Sequence, residues 1–315
     1  MSFKSFLKLV EIQTKVASFI PFLLGTVYAV YRFDSFNIKN FIIMFISLLS
    51  FDMATTAINN YFDYKKAKKL DSFGYNEHNA IVRDNLTESS VKTTICILIT
   101  LAVVCGILLF LSTNIIILIL GVISFLVGIL YSFGPIPISR TPFGEVFSGL
   151  FMGFIITFIA VYIHIVDLNI VKLAYSNWIL SINVNMKEIL YIFLISVPAI
   201  NSIANIMLAN NICDREDDIV DKRYTLAVYV GTERALIIFK ALYYLVYIDI
   251  VVLVILKVFP VVSLVTLLTL IPIYKNIKIF YEKQTKKDTF ILAVKNFVII
   301  NLVQVFLIGM WKLIS

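Results

Sequence analysis

Nine stretches of mostly apolar residues account for most of this chain. Each is close to the ~20 residues that an α-helix needs to cross the hydrocarbon core of a bilayer. They occupy residues 12–32, 40–62, 92–112, 114–133, 143–166, 188–211, 234–256, 258–280 and 291–313. Because a bilayer core offers no water to backbone polar groups, such stretches must satisfy those groups internally, as helices do. The pattern predicts a polytopic membrane protein with nine candidate transmembrane helices.

The amino-acid composition agrees with a membrane protein. Hydrophobic residues make up 60% of the 315 positions and charged residues 15%, against about 25% charged residues in a typical soluble domain. The net charge of +7 fits loops beside anionic lipid, and no nucleic-acid partner is expected. The three cysteines are far apart and have neither zinc-ligand spacing nor a disulfide framework. No early apolar run ends in a small-residue cleavage site, so no removable signal peptide is expected.

The placement of basic residues predicts the orientation in the membrane. With the N-terminus in the cytoplasm, 21 of the 27 Lys and Arg residues fall inside and 6 outside. Short cytoplasmic loops carry an excess of Lys and Arg. We therefore expect a multi-pass protein of the cell membrane, with its N-terminus inside and its C-terminus outside.

Two carboxylate-rich segments follow directly on apolar helices. The first contains Asn59 and Asp63, and the second contains Asn210 and Asp214. In both, an Asn-Asn pair precedes an Asp at the same spacing of four, which places both side chains on one helical face. An ionisable side chain near a bilayer core costs about 2.5–3.5 kcal/mol on insertion scales, so it indicates a functional site. On this orientation, both segments face the cytoplasm.

The residue types in these segments suit a magnesium–diphosphate site. Mg²⁺ prefers oxygen ligands and commonly binds through one or two carboxylates plus substrate phosphates. Asp214 and Asp218 are four residues apart and project from one face, and Asp63 is expected to oppose them from the other half. The neutral oxygens come from Asn59 and Asn210. The cations that can bind phosphate are Lys65, Lys66, Lys222 and Arg223.

The alternative interpretation is that these are solvated loop charges. We favour it for Lys68, Lys69, Glu77 and Glu88. For the three aspartates we do not, because two similar clusters arise at the same membrane face.

A third segment, Tyr131–Glu145, joins the fourth and fifth apolar stretches. Its three prolines and two glycines predict a stiff, non-helical connection. Glu145 begins the next helix, where a carboxylate is favoured by the helix dipole and is expected to face inward. The alternative is a simple interhelical turn. Five further glycines inside the spans predict close helix approach, namely Gly106, Gly121, Gly128, Gly149 and Gly153.

The chain resembles the UbiA superfamily of intramembrane prenyltransferases, and within it the 1,4-dihydroxy-2-naphthoate polyprenyltransferases of menaquinone synthesis. Residues 59–66 are similar to the family's N-D-x-x-D motif with a following lysine pair. Residues 211–227 match a second motif, and Tyr131–Glu145 matches the element most specific to the menaquinone branch. Pro21 and Gly25 also fit. The resemblance covers nearly the whole chain.

The first motif departs from the family pattern. Asn60 stands where the family usually has Asp, Ala67 replaces a frequent Gly, and Lys69 replaces a frequent Asp. Asp71, two residues later, is a candidate replacement. In the second motif, Asp221 replaces a usual Gly. The metal ligands of the first motif beyond Asp63 therefore stay open.

The resemblance implies an all-α fold in a single domain over residues 1–315, a nine-transmembrane-helix bundle around a central cavity that opens sideways to membrane lipid. It implies Mg²⁺-dependent transfer of a polyprenyl group from polyprenyl diphosphate to an aromatic acid, with loss of carbon dioxide in the menaquinone branch. Metal binding is expected at Asp63, Asp214 and Asp218. The candidates for the acceptor side are Tyr131, Arg140 and Glu145.

Two rival functions were weighed against this one. The first is a prenyltransferase for another acceptor, such as 4-hydroxybenzoate or haem, against which the Tyr131–Glu145 segment argues. The second is an ion-coupled transporter, which predicts acids near the bilayer midplane instead of at one face. A membrane scaffold needs no acidic pair. The length of the prenyl chain and the oligomeric state cannot be deduced from these residues.

Overall fold

The computed structural model describes residues 1–70, 79–176 and 178–314, with the backbone alone for 66–70. In these ranges, nine helices are long and apolar enough to cross a membrane, as predicted. They are Ile12–Phe33, Ile38–Lys65, Glu88–Leu111, Ile115–Ser132, Gly144–Tyr162, Met186–Cys213, Thr232–Ile255, Val261–Glu282 and Phe290–Ile314. The all-α fold class is thus confirmed, and the predicted boundaries differ by a few residues.

The chain divides into two compact units, whereas a single domain was predicted from the sequence. The first unit comprises Met1–Phe19 and Lys39–Ile129, and the second comprises Ile20–Ile38 and Leu130–Ser315. That the two units act as a single domain stays a prediction.

The first unit contains four helices that are complete or nearly complete, and most of a fifth helix. They are α1 (Phe3–Leu9), α3 (Ile38–Leu70), α4 (Ala80–Arg83), α5 (Glu88–Leu111) and α6 (Ile115–Ser132), while α2 (Val16–Phe33) begins there. Buried Leu9, Val10, Ala57, Ile81 and Val91 belong to one apolar core. The first acidic segment was predicted to lie at a helix end, but α3 continues through it to Leu70. Lys and Ala are good helix formers and extend the helix beyond the apolar span.

The second unit is organised around α9 (Met186–Cys213). The fifth span consists of α7 (Gly144–Ser148), a π-helical segment (Gly149–Ile155) and α8 (Ile156–Tyr162). It packs on α9 so closely that a Cβ at Gly153 would lie 2.6 Å from the Ile200 nitrogen, and one at Gly149 2.7 Å from the Ile200 oxygen. The predicted close approach is confirmed at these two glycines. At Gly121, no described atom outside its own stretch of helix backbone lies within 4 Å of such a Cβ, so the described residues make no close approach there.

The remaining helices of the second unit follow the second acidic segment. They are α10 (Arg215–Val220), α11 (Leu226–Val230), α12 (Thr232–Ile255), a 3-10 segment (Val261–Thr269) that leads into α13 (Leu270–Glu282), and α14 (Phe290–Ile314). Helices α12 and α14 both pack on α9.

An antiparallel β-hairpin joins the fifth and sixth spans, where the sequence predicted only a connection. Its strands are β1 (Val171–Ser176) and β2 (Ile179–Val184), with Val171 opposite Val184 and Ser176 opposite Ile179. Apolar and polar residues alternate with the period of two that is typical of a β-strand. The sequence therefore contained a strand pattern, but only over a short stretch.

Candidate functional site

The second acidic segment begins where α9 ends. Asp214 caps α9 and precedes α10, and its backbone leaves the regular helical conformation. The helical turn is nevertheless kept, since the Asp214 N–H donates to the Asn210 oxygen at 3.0 Å and the Asp218 N–H donates to the Asp214 oxygen at 2.8 Å. The predicted one-turn separation of the two aspartates is therefore present.

Asp218 is a buried carboxylate with a cationic partner. It is 2% exposed, lies 3.3 Å from Nη1 of Arg223, and accepts a 3.1 Å hydrogen bond from the Thr225 hydroxyl. Burial raises the pKa of Asp218, while Arg223 and Thr225 act in the opposite direction. A second cation at this carboxylate would compete with Arg223 and leave that guanidinium able to bind a phosphate oxygen.

Asp214 has a different partner, which the sequence analysis missed. Lys286, in the connection between α13 and α14, contacts the carboxylate of Asp214 and the side-chain oxygen of Asn210. The Asn210 amide nitrogen donates to Asp214 at 3.3 Å. The Asn210 oxygen, predicted as a neutral metal ligand, is thus occupied by an ammonium group in this structure. Nothing in the spacing of the motif points to a lysine that follows it by 72 residues.

The third segment contacts the second acidic segment through buried groups. The Asn211 amide donates to Oε1 of Glu145 at 2.9 Å, and both side chains are buried. Glu145 therefore faces inward, as predicted. Sequence reasoning singled out Asn210, whereas its neighbour Asn211 makes this contact.

Two more residues of the third segment lie beside the same group. The hydroxyl of Tyr131 is buried and lies within electrostatic range of Glu145 and Arg223. Arg140 is the last residue of a 3-10 turn, and its backbone oxygen accepts a 3.0 Å hydrogen bond from the backbone N–H of Tyr224. Its side chain is exposed, so the structure places the residue at the site by its backbone.

Lys222 occupies the tight turn between Asp218 and Arg223. Its φ of 53° lies in the left-handed region, which is uncommon for a residue other than glycine. Its side chain is exposed and thus accessible to a ligand. The second unit brings together Tyr131, Glu145, Asp214, Asp218 and Arg223.

The first acidic segment is described on its own unit. Asn59 is half-buried and Asp63 is exposed on α3. The amide of Asn60 donates to the Leu9 oxygen at 2.9 Å and to Glu11 at 3.2 Å. Asn60 therefore has a structural contact in place of the family's carboxylate. The Lys66 side chain and Asp71 lie outside the described residues.

Lys65, predicted to bind diphosphate, is paired inside the first unit. Its ammonium lies 2.7 Å from Oε2 of Glu88 and 5.7 Å from the centre of the Tyr61 ring. Diphosphate would have to replace Glu88 as its partner. An open groove of about 410 Å³ runs beside these residues, between α3 and α5. Its lining is mostly apolar and consists of Ile58, Tyr61, Phe62, Lys92, Ile95, Cys96, Ile99 and Thr100.

The donor atoms suit a hard cation that arrives with its own oxygen ligands. Among the described residues, no group of three or more His, Cys, Asp and Glu side chains forms a metal site by itself. Mg²⁺ does not require one, because it keeps waters and shares one or two carboxylates with substrate phosphates. The carboxylates of Asp214 and Asp218, with cations beside them, fit this mode of binding.

A family model and a curated relative each match most of this chain. The model of the UbiA prenyltransferase family matches residues 18–300. The 1,4-dihydroxy-2-naphthoate octaprenyltransferase of Bacillus subtilis (strain 168) is 31% identical over 237 residues, which cover 75% of this chain and 69% of that protein.

Solved structures show the same fold. A UbiA homolog from Aeropyrum pernix K1 superposes with a TM-score of 0.66 at 17% identity, covering 93% of this chain and 97% of the other. A homolog from Archaeoglobus fulgidus, bound to DMAPP and Mg²⁺, superposes with a TM-score of 0.63 at 15% identity, covering 99% of each chain.

Proposed function

The chain belongs to the UbiA prenyltransferase family, and from that premise we propose that it prenylates 1,4-dihydroxy-2-naphthoate. The donor is a polyprenyl diphosphate, and the ring carboxylate leaves as carbon dioxide to give demethylmenaquinol. The hydrogen bond between Asn211 and Glu145 carries this proposal, because it joins the second acidic segment to the segment typical of the menaquinone branch. The named activity of the Bacillus subtilis relative supports the same acceptor.

Each residue set has a separate task in this reaction. Asp63, Asp214 and Asp218 bind the Mg²⁺ that accompanies the diphosphate, and the bound ion neutralises the charge of the leaving group. The proposed diphosphate-binding residues are Lys65, Lys66, Lys222 and Arg223. The Archaeoglobus fulgidus homolog, solved with DMAPP and Mg²⁺, supports this combination of ligands.

Each aspartate proposed as a metal ligand in the second acidic segment has a cation as its partner. Arg223 neutralises Asp218, and Lys286 neutralises Asp214. If Asp214 and Asp218 held a metal ion, Lys286 and Arg223 would be able to bind the oxygens of the anionic donor instead. We propose that Lys286 joins the predicted diphosphate-binding residues for this reason.

The acceptor side is proposed to consist of Tyr131, Arg140 and Glu145. The allylic carbon–oxygen bond breaks, and diphosphate leaves with the electron pair. The electron-rich ring carbon bonds to the allylic cation, and the bond to the carboxylate carbon then breaks. Its electron pair returns to the ring and restores aromaticity as carbon dioxide departs. Arg140 can pair with the acceptor carboxylate.

The apolar tail of the donor needs an apolar path. The open groove along Tyr61 and Phe62 offers a surface of that character on the first unit. Aromatic rings at such a surface also stabilise a neighbouring cation.

An assay of acceptors tests the proposal. Purified protein in nanodiscs is given Mg²⁺, a labelled polyprenyl diphosphate and either 1,4-dihydroxy-2-naphthoate or 4-hydroxybenzoate. The expected result is a labelled prenylated product from the naphthoate, with one equivalent of carbon dioxide released from its carboxylate. Prenylation of 4-hydroxybenzoate with its carboxylate retained, and none of the naphthoate, would contradict the acceptor and leave the family activity intact. A series of donors of different lengths in the same assay gives the preferred chain.

A further inference from the structure

The β-hairpin has one apolar and one mostly polar face. Cross-strand partners on one face are Val171 with Val184, Leu173 with Ile182, and Tyr175 with Leu180. Since successive side chains of a strand point to opposite faces, all six of these apolar residues share a surface. The other face carries Lys172, Ala174, Ser176, Ile179, Ser181 and Asn183.

Towards its tip, the apolar face is not covered by any part of the chain that the structure describes, whereas Val171 and Leu173 near its base are half-buried. Tyr175 is 65% exposed, Leu180 61% and Ile182 60%, and Trp178 at the tip is 92% exposed. A contiguous exposed apolar surface of this kind marks a contact with a membrane or with another protein.

The hairpin is attached where two spans end. Its base is held by a 3.2 Å hydrogen bond from the Tyr162 hydroxyl to the Val171 oxygen, and by a 2.8 Å bond from the Asn185 N–H to the Ile170 oxygen. These residues lie at the ends of the fifth and sixth spans opposite to Glu145 and Asn211. The hairpin is therefore remote from the second acidic segment, by roughly the 40 Å length of a 28-residue helix.

Charged and aromatic groups of the second unit mark the same end as a membrane–water boundary. Arg32 and Glu188 form an ion pair at 2.9 Å, as do Lys312 and Asp34. The guanidinium of Arg32 lies 5.3 Å from the centre of the Tyr191 ring. Amphipathic aromatic side chains with basic neighbours are typical of the level of the lipid headgroups.

We propose that the hairpin is an interfacial anchor that rests on the bilayer. The apolar face and Trp178 enter the boundary between headgroups and acyl chains, and Lys172 and Asn183 face water. Lipid is the occupant that the surroundings favour, because the neighbouring surface of α9 is itself apolar and exposed at Met186 and Leu190. The apolar face of the hairpin continues that lipid-facing surface, and an indole at the tip has its preferred environment there.

Tryptophan fluorescence provides a direct test, because the chain has only two tryptophans. The Trp311→Phe variant leaves Trp178 as the sole fluorophore, and Trp178→Phe is the matched control that leaves Trp311. In nanodiscs, Trp178 is expected to emit at a blue-shifted wavelength and to be quenched at least twofold more by lipids brominated in the upper acyl chain than by aqueous iodide.

Two outcomes would overturn the anchor. One is red-shifted emission that iodide quenches and brominated lipid does not, which places Trp178 in water. The other is protection from both quenchers that disappears when the protein is diluted into excess empty lipid, which indicates a second copy of the chain.

A pair of spin-labelled variants keeps the test independent of the tryptophan substitutions. Ile182→Cys and Asn183→Cys are neighbours on opposite faces, introduced in a cysteine-free background. The label at position 182 should relax more with oxygen, which concentrates in lipid, and the label at 183 more with a water-soluble nickel chelate. Equal accessibility of both labels to the nickel chelate would overturn the proposal. Neither measurement depends on turnover, so the test of the anchor is independent of the proposed reaction.

Discussion

Lys15 Nζ lies 2.7 Å from Oδ1 of Asp52 within the first unit, and the Lys15 side chain is buried there. The ammonium also donates to the Asp52 backbone oxygen at 3.1 Å and to the Thr56 hydroxyl at 2.7 Å. All three of its protons are therefore used. The Ser18 hydroxyl donates to the other carboxylate oxygen of Asp52. This pair links the start of the first span to the middle of α3.

Removal of the carboxylate should destabilise the protein strongly. Asp52→Ala leaves a buried ammonium without its counter-ion, and breaking a buried pair in this way costs about 3–5 kcal/mol. The double variant Lys15→Met/Asp52→Ala should be more stable than Asp52→Ala, because it removes the unpaired charge. Thermal unfolding in detergent measures both.

The control is the exposed pair of Lys283 and Asp288, which lie 2.8 Å apart. Asp288→Ala should leave the unfolding midpoint unchanged, because exposed pairs contribute little. If Asp52→Ala unfolds at the same temperature as the wild type, the pair has no structural role.

The three aspartates of the acidic segments should each be essential for turnover. Asp63→Ala, Asp214→Ala and Asp218→Ala remove carboxylates proposed to hold the metal, and loss of one such electrostatic contact costs about 10²–10³-fold in rate. The corresponding Asn variants should also fail, since they keep the shape and lose the charge. Turnover across a Mg²⁺ titration is the measurement, with membrane insertion checked separately.

Asp167→Ala is the matched control, because Asp167 is an exposed carboxylate at the other end of the fifth span. It should retain full activity. Near-normal turnover in any two of the three acidic-segment variants would remove the metal-site model.

Hydropathy alone predicted the nine spans, because a bilayer demands length and apolarity of every spanning helix. Motif spacing predicted Asp214, Asp218 and Glu145 as site residues, because the spacing of residues within a helical turn determines the direction of their side chains. The same reasoning missed Asn211 and Lys286, whose partners are distant in sequence. Tertiary packing decides such pairs, and no local pattern encodes it. Asp52 was missed because a single charge inside an apolar stretch does not reveal its counter-ion.

Arg140→Gln should separate the two substrates. If the guanidinium pairs with the acceptor carboxylate, its loss removes a bond worth about 1.5–3 kcal/mol and raises the KM for the aromatic acid about 10- to 100-fold. The KM for polyprenyl diphosphate should stay unchanged. Steady-state kinetics with each substrate varied in turn provide the test. Arg234→Gln changes another exposed arginine and should alter neither value. A change in stability alone would make residues 131–145 a rigid turn and no more.

Cysteine labelling should place the end of the second unit that carries the second acidic segment in the cytoplasm. The excess of basic residues on that side motivates the expectation. In a cysteine-free background, a single cysteine at Asp221 should be protected from a membrane-impermeant maleimide in intact cells, and one at Asn183 should react. Both positions are exposed, so access is set by the membrane. The reverse labelling pattern would invert the proposed orientation.

Acid should destabilise the protein through His164, which follows the fifth span. Its Nδ1 accepts a 2.9 Å hydrogen bond from the Asn37 N–H, and burial lowers its pKa from 6.5 to about 4. The unfolded chain therefore binds a proton at higher pH than the folded one. The stabilisation is complete above pH 6.5 and is lost as the pH falls towards 4, by up to about 3 kcal/mol at ~1.4 kcal/mol per pK unit.

The His164→Asn variant isolates this contribution. Its side-chain oxygen can accept the same hydrogen bond but does not titrate, so its unfolding midpoint should fall less than that of the wild type between pH 6.5 and 4. The difference between the two proteins removes the common effect of the other titrating groups. Parallel curves over that range would show that His164 does not set the acid sensitivity of this end of the second unit.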